Sequence, residues 1–579
     1  METNGANAKE EDEEPKRILL QGMDDIEDQD DIDMVDSNNT AHANDDITAN
    51  ATNANATSYN PAATSSLIPL ILTPSPFQHH NDSGTADRYR SALQRITATP
   101  TTDVEAWEAI MNESMSLYRT QLLPQLEAQR QASKILLDQN PNGRFQIKRE
   151  DELERKLDWV ESCYGHLLKY FPYSSNYFIS AVEFLMARSA LPYESLTGGD
   201  DNYIYGSMAN WVNGQTPLQV AAGTKIDKIF ELALGVKTDG SPAEMDDELN
   251  EDGGSANIIN EGQGNDEDKK VSAKQSLGGM CSSSVELWLL YIRKRTRDAK
   301  REALLKHAML VPTMDPANPT KPMTKIQLNK EGEDLIREWI TESYEAALEN
   351  GSAFVFNNHL IWRQYLGYVK AWNIMQTQPA GSLGQEPISG IDHSLASKQK
   401  ASLRSIYQRI ITLPMLGLDG LWVEYENFEK AQSEQLAVAL IAENLPRYQH
   451  ARSVYLERNR VFSIHELGFG RLATPPADYE FINIDGDGSA KKDVDQDEYR
   501  KKMKDEINLL AKWKRRCAYE RTNPERLSAT ELTSRIRQQC YKDSVCCFMR
   551  HIEVWHEWSA WEFVNAGTGG GNSSGAGSL

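Results

Sequence analysis

Four stretches of the chain carry one phrase, a tryptophan followed three residues later by a second aromatic. They are LWLLYIRKR with Trp288 and Tyr291, IWRQYLGYV with Trp362 and Tyr365, LWVEYENFE with Trp422 and Tyr425, and VWHEWSAWE with Trp555 and Trp558. In an α-helix that spacing puts both rings on one face, a turn apart. A second phrase alternates with the first: DKIFELAL around Phe230, TESYEAAL around Tyr344, RSIYQRII around Tyr407 and RSVYLERN around Tyr455. Trp107, Phe178 and Trp513 head further helices of the first kind, called A, and Tyr164 and Tyr541 lie in helices of the second kind, called B. A helix that recurs with a partner cannot bury its apolar face alone, so the pattern predicts an all-α solenoid of antiparallel helix pairs. The aromatics are read as repeat-packing residues, since a buried ring contributes more to packing than any other side chain.

The pairs follow in order. DVEAWEAIMNESMSLY joins RKLDWVESCYGHLLKYF, with Ser174 or Ser175 expected to cap the next helix, and NYFISAVEFLMARS joins TKIDKIFELALGV. SVELWLLYIRKRTRDAKREAL joins EDLIREWITESYEAALE, and HLIWRQYLGYVKAW joins KASLRSIYQRIIT. LDGLWVEYENFEKA joins a long helix through PRYQHARSVYLERNRVF, where Trp422 to Tyr455 is close to the roughly 34-residue period of two-helix units. INLLAKWKRRCAYER joins TELTSRIRQQCYKDSVCCFMR, and HIEVWHEWSAWEFV follows without a partner. Polar, Gly-rich or acidic insertions fall at about Asp239 to Met280, Thr377 to Ser394 and Gly470 to Asp497.

Residues 1–100 are acidic and then rich in Asn, Ala and Thr, with too few large apolar side chains to offset the entropy of ordering, and are expected to be disordered. The organisation expected is therefore a low-complexity tail at 1–100, an N-terminal repeat domain at 101–469 and an acidic linker at 470–500. The start of a second repeat domain follows at 501–566, then a flexible Gly/Ser tail at 567–579.

An acidic residue seven positions after the tryptophan (Trp422 to Glu429, Trp513 to Glu520, Trp555 to Glu562) completes a pattern that resembles the half-a-tetratricopeptide (HAT) repeat. The order YFPYSSNYFISAVEF, LWLLYIRKR, IWRQYLGYV, IYQRIITLPMLGLDGLWVEYENFE and RYQHARSVY is similar to the suppressor of forked family, the large HAT subunit of cleavage stimulation factor. The resemblance spans roughly Val104 to Val564. It implies a curved, right-handed superhelical scaffold in nuclear pre-mRNA 3′-end cleavage and polyadenylation. The partners it implies are subunits of the cleavage/polyadenylation specificity factor and the other cleavage stimulation factor subunits, with pre-mRNA contacted indirectly. Family members dimerise and bind the smaller subunits through later repeats, so the dimerisation half is expected to be largely absent from this chain. HAT proteins of the spliceosome or of ribosomal RNA processing share the repeat, and a helical prenyltransferase is a further alternative.

Charge and motif content bound the chemistry. The net charge of −24 disfavours unaided binding to a phosphate backbone unless cations are locally concentrated. The six cysteines show no CxxC spacing, and the chain has no apolar run long enough to span a membrane. DDIED, Asp24 to Asp28, matches a magnesium-binding DDxxD but sits in the acidic tail, and the EF-hand-like run from Asp485 has Ala490 in place of glycine and Gln496 in place of the bidentate glutamate. No P-loop, dinucleotide fingerprint or nucleophile elbow occurs, so no catalytic residue, metal or cofactor is expected. Two basic stretches remain, Lys512 to Arg516 and a candidate interaction patch of Arg293, Lys294, Arg295, Arg297, Lys300 and Arg301.

Overall fold

The computed structural model describes residues 83–566, except 101–102, 140–150, 190–216, 237–278, 316–317, 351–357, 373–374, 378–388, 463–466, 474–475 and 477–495. The acidic tail with its DDIED run, most of the insertion after Asp239, the EF-hand-like run before Gln496 and the Gly/Ser tail lie outside the described residues.

Helix α1 (Ser83–Ala98) precedes the first pair. That pair is α2 (Val104–Leu117), which continues through a π turn (Tyr118–Leu122) into α3 (Leu123–Gln139), and α4 (Asp151–Tyr170). The second is α5 (Ser175–Ser189) with α6 (Pro217–Leu234), and the third is α7 (Val285–His307) with α8 (Lys330–Glu349). The fourth is α9 (His359–Lys370) with α10 (His393–Ile410), and the fifth is α11 (Leu418–Gln432) with α12 (Glu434–Val461). The sixth joins α13 (Gln496–Arg521) to α14 (Ala529–Arg535), a second π turn (Ile536–Lys542) and α15 (Asp543–Cys547). Helix α16 (Ile552–Ala566) ends the described chain.

Local chemistry sets the helix starts. Asp103, Ser284, Asn329 and Asp392 each accept a hydrogen bond from a backbone N–H of the first turn they precede, and Ser528 with Glu531 forms a capping box. Gly417 stands before α11 in the left-handed region at φ 77°, where an added Cβ would lie 2.8 Å from the Arg363 guanidinium. Ser174 stands directly before α5, and its hydroxyl donates to the Gly470 carbonyl at 2.8 Å, which ties the second pair to the segment before α13.

Helices within a pair pack on each other, and each pair packs on the next through α4·α5, α5·α7, α8·α9, α10·α11 and α12·α13 contacts. One continuous apolar core runs from Tyr89 on α1 to Ala473, and two smaller clusters serve the sixth pair and α16. The fold is an all-α stack of helix pairs, as expected. Two short antiparallel ribbons interrupt it: β1 (Ala308–Asp315) with β2 (Asn318–Leu328) between α7 and α8, and β3 (Met375–Thr377) with β4 (Ser389–Ile391) between α9 and α10. Pro312, Pro319 and Pro322 fit the first ribbon because both of its strands are edges.

One reading needs correction. The stretch expected to be disordered up to residue 100 ends in helix α1, whose Tyr89, Ala92, Leu93 and Ile96 are buried at four- and three-residue spacing. The long helix expected through Pro446 is α12, which starts at Glu434 and carries Pro446 inside it. Contacts also reach beyond neighbouring pairs, because the sixth returns to the loop that opens the third. Lys542 Nζ donates to Ser282 Oγ at 2.6 Å, Ser283 Oγ donates to Asp543 Oδ1 at 2.5 Å, and the Cys546 thiol donates to the Met280 carbonyl at 3.1 Å.

Candidate functional site

The aromatic positions fall into three groups. Trp107, Phe178, Phe230, Trp288, Tyr291, Trp362, Tyr365, Tyr407, Trp422, Tyr425, Trp513 and Tyr541 are buried, as are Tyr164 and Tyr344. Trp288 lies edge-on to Tyr291 at 5.7 Å and 87°, Trp422 is tilted against Tyr425 at 5.7 Å and 54°, and Trp555 stacks on Trp558 at 5.9 Å and 19°, so the spacing of three brings rings together without fixing their mutual angle. Between pairs, Phe230 meets Tyr291 at 5.4 Å, Tyr344 stacks on Tyr365 at 4.8 Å, and Tyr407 meets Tyr425 at 6.1 Å. Tyr541 lies 6.4 Å from Trp558 and 5.2 Å from Trp561.

Tyr455 is the second group: it is only half-buried, and Tyr448, two turns earlier on α12, takes the ring partnership by stacking on Trp422 at 4.5 Å and 13°. Trp555 and Trp558 form the third. Trp555 is 41% exposed and Trp558 half-buried, because α16 has no following helix among the described residues to cover its outer face.

Sequence reasoning noted the acidic residue at +7 and missed what it holds. Glu429 on α11 takes both guanidinium nitrogens of Arg404 on α10 at 2.8 Å. Glu562 on α16 takes Arg537 of the second π turn at 2.6 and 2.8 Å. Glu520 on α13 takes Arg458 on α12 at 2.9 and 3.1 Å. Each clamp joins a helix A to the helix B of the preceding pair. Planar, bidentate Arg–carboxylate pairs fix both the spacing and the angle of two packed helices. The same logic runs in the opposite sense at Arg188 on α5, which donates to Glu154, Asp158 and Glu161 on α4.

The Arg458 clamp is the most elaborate. Arg458 also donates to Glu525 at 2.6 Å, and Arg535 on α14 binds Glu525 and lies 3.7 Å from Glu520, so two arginines and two glutamates form a buried, charge-balanced quartet. Burial alone would push the Glu525 carboxyl up, but the Arg535 and Arg458 guanidiniums more than offset it and hold the group below its ordinary value of 4.5. The unfolded chain therefore binds this proton more readily than the folded one. The contribution is complete at neutral pH and is lost as pH falls below about 4.5 toward the folded value. Glu525→Gln is expected to flatten the fall in melting temperature between about pH 7 and about pH 3.5 relative to the wild type. An unchanged slope would remove Glu525 from the acid response.

The basic candidate patch on α7 is turned inward. Lys294, Arg295 and Arg297 are buried, while Arg293, Lys300 and Arg301 are half-buried. Lys294 pairs with Asp227 of α6 at 2.5 Å and with Asp298 at 2.8 Å, and the Arg295 guanidinium lies 4.6 Å above the Trp339 ring of α8. A cleft of 540 Å³ opens beside them, lined in part by Lys294, Arg297 and Arg301 but equally by Asp227, Asp298 and Glu302. Its cations meet acids of their own fold, so its net field is weak. Of the second stretch, Arg516 is buried against Trp513 at 5.0 Å and faces Asp543 at 3.6 Å. Burial pushes the Asp543 carboxyl up to about 6, against the opposing pull of Arg516, Ser283 and Lys542.

Among the described residues no group of three or more His, Cys, Asp or Glu side chains could hold a metal ion, and no helix is long and apolar enough to cross a membrane. The arrangement offers surfaces and fixed spacing between them. Residues 322–569, from β2 to just past α16, match the family model described as suppressor of forked protein (Suf). Over that span the chain is similar to the suppressor of forked family.

Its relatives agree. Cleavage stimulation factor subunit 77 of Arabidopsis thaliana is 28% identical over 36% of this chain and 22% of its own length. Protein suppressor of forked of Drosophila melanogaster is 22% identical over 49% of this chain and 32% of its own. The mRNA 3′-end-processing protein RNA14 of Gibberella zeae is 25% identical over 41% and 21%. The chain thus spans at most 32% of the length of these three relatives. Suppressor of forked proteins are HAT-repeat helical solenoids, which accounts for the stack of pairs and for the recurring Trp, aromatic and +7 glutamate. All three +7 clamps lie inside the matched span.

Proposed function

We propose that this chain is a scaffold subunit of the nuclear pre-mRNA 3′-end cleavage and polyadenylation machinery and performs no catalysis itself. The family match over 322–569 carries the reading, together with relatives named as cleavage stimulation factor and 3′-end-processing proteins. The geometry supports it: pairs pinned by buried rings and bidentate clamps hold their outer surfaces at set distances, and the sixth pair is fastened to the loop before α7. Such a body acts by raising the effective concentration of bound partners along one transcript. The partners are subunits of the cleavage/polyadenylation specificity factor and the remaining cleavage stimulation factor subunits. The same reading divides the chain into an N-terminal repeat domain to about 469 and a second one from about 501.

RNA recovered by cross-linking and immunoprecipitation of the tagged chain from nuclei tests the pathway. Enrichment of sequence around poly(A) sites is expected. Enrichment of introns or of ribosomal precursor RNA would place the scaffold in splicing or ribosome assembly instead.

A further inference from the structure

Helix α13 turns its Trp513, Arg516, Cys517 and Glu520 into the core, and Lys502 toward Glu105 of α2 at 3.7 Å. The opposite side repeats at three- and four-residue intervals through Lys501, Lys504, Asn508, Ala511, Arg515 and Ala518, and all six are exposed. Lys514 lies beside this stripe and is exposed as well. None of Lys501, Lys504, Lys514 and Arg515 is paired with a carboxylate of the described residues, unlike the cations at 293–301 of α7, each of which lies buried or half-buried. Asp505 is the one exposed acid among the described α13 side chains. A chain of net charge −24 has acids to spare, yet leaves four cations open in a row about 20 Å long.

We propose that the outer face of α13 binds the phosphate backbone of single-stranded RNA. The stripe supplies what phosphates need, point charges at regular intervals with small Ala511 and Ala518 between them to permit close approach. It lacks what a protein ligand needs. Ile507, 59% exposed, is its one exposed large apolar side chain among the described residues. RNA is read there without regard to sequence, through cations and not through base edges. The choice of RNA as the polyanion rests on the 3′-end-processing reading. Loss of this surface would leave complex membership intact, so the two fail separately.

Fluorescence anisotropy of the full chain with a labelled oligouridylate tests the proposal across a salt series. For the quadruple variant K501Q/K504Q/K514Q/R515Q, affinity at low salt is expected to fall on the order of 100-fold. The slope of log K against log salt should become shallower by about 3, four lost contacts at about 0.7 each. The control variant K398E/K400E alters two exposed lysines on α10 and should bind like the wild type. All six substituted side chains on α13 and α10 are at the surface, so circular dichroism of each variant should match the wild type. Equal affinity and slope in the quadruple variant would overturn the proposal. So would failure of the wild-type chain to bind RNA while the same face binds polyglutamate, which would mark it as a site for an acidic protein.

Discussion

Arg458→Ala is expected to destabilise the sixth pair by about 3–5 kcal/mol, the cost of breaking one member out of a buried ion network and leaving carboxylates uncompensated. Arg458 satisfies Glu520 through two nitrogens and Glu525 through one, and all three side chains are almost fully buried. Its loss would leave Arg535 to balance two glutamates alone. A helix-pair array does not unfold in one step, so the effect should be local. In urea, fluorescence from Trp513 and the tryptophans of α16 should report a transition at lower denaturant, while helicity from the first five pairs persists. Arg458→Lys should recover little, because an ammonium cannot reproduce the bidentate geometry. A loss under about 1 kcal/mol would show that the quartet is spectator to packing that α12 and α13 achieve without it.

Trp288→Ala should cost about as much, roughly 3–5 kcal/mol, for a different reason. Its ring is fully buried between the second and third pairs, edge-on to Tyr291, and its Nε1 donates to the Ser282 carbonyl at 2.8 Å. Truncation leaves both a cavity and an unpaired buried carbonyl. Ser282 is also the residue that accepts from Lys542, so the variant should loosen the return contact from the sixth pair together with the third pair itself. Trp555→Ala gives the comparison. Trp555 occupies the equivalent place in its phrase but is 41% exposed on the outer side of α16, and its loss should cost well under half as much. Thermal denaturation of both variants under one buffer decides between these expectations. Equal costs would mean that repeat position, and not burial, sets the contribution of the tryptophan.

The order of helix pairs was legible because apolar residues at helical spacing leave the same mark wherever a helix is half-buried. The clamps were half legible. Glu429, Glu520 and Glu562 announced themselves by recurrence, but Arg404, Arg458 and Arg537 do not sit at a constant offset from the aromatics of their own helices, so only the folded chain reveals the partnership. Basic residues 293–301 read as a solvated or ligand-binding run because charge alone does not report depth. Asp227, Asp298 and the Trp339 face absorb two of those cations from inside. The stripe on α13 shows the converse, since KWKRR mixes a buried Arg516 with an exposed Lys514 and Arg515, and only the helix phase separates them. Contacts between Ser282 and Lys542, or Ser174 and Gly470, join positions 260 and 296 residues apart and leave no periodic trace.

Affinity purification of the tagged chain from nuclear extract, followed by mass spectrometry of the bound proteins, tests the central claim most directly. Recovery of cleavage/polyadenylation specificity factor subunits, reduced by Trp288→Ala and unchanged by the quadruple α13 variant, is the result expected of a non-catalytic 3′-end-processing scaffold. Recovery of spliceosomal or ribosome-assembly proteins in their place would contradict it.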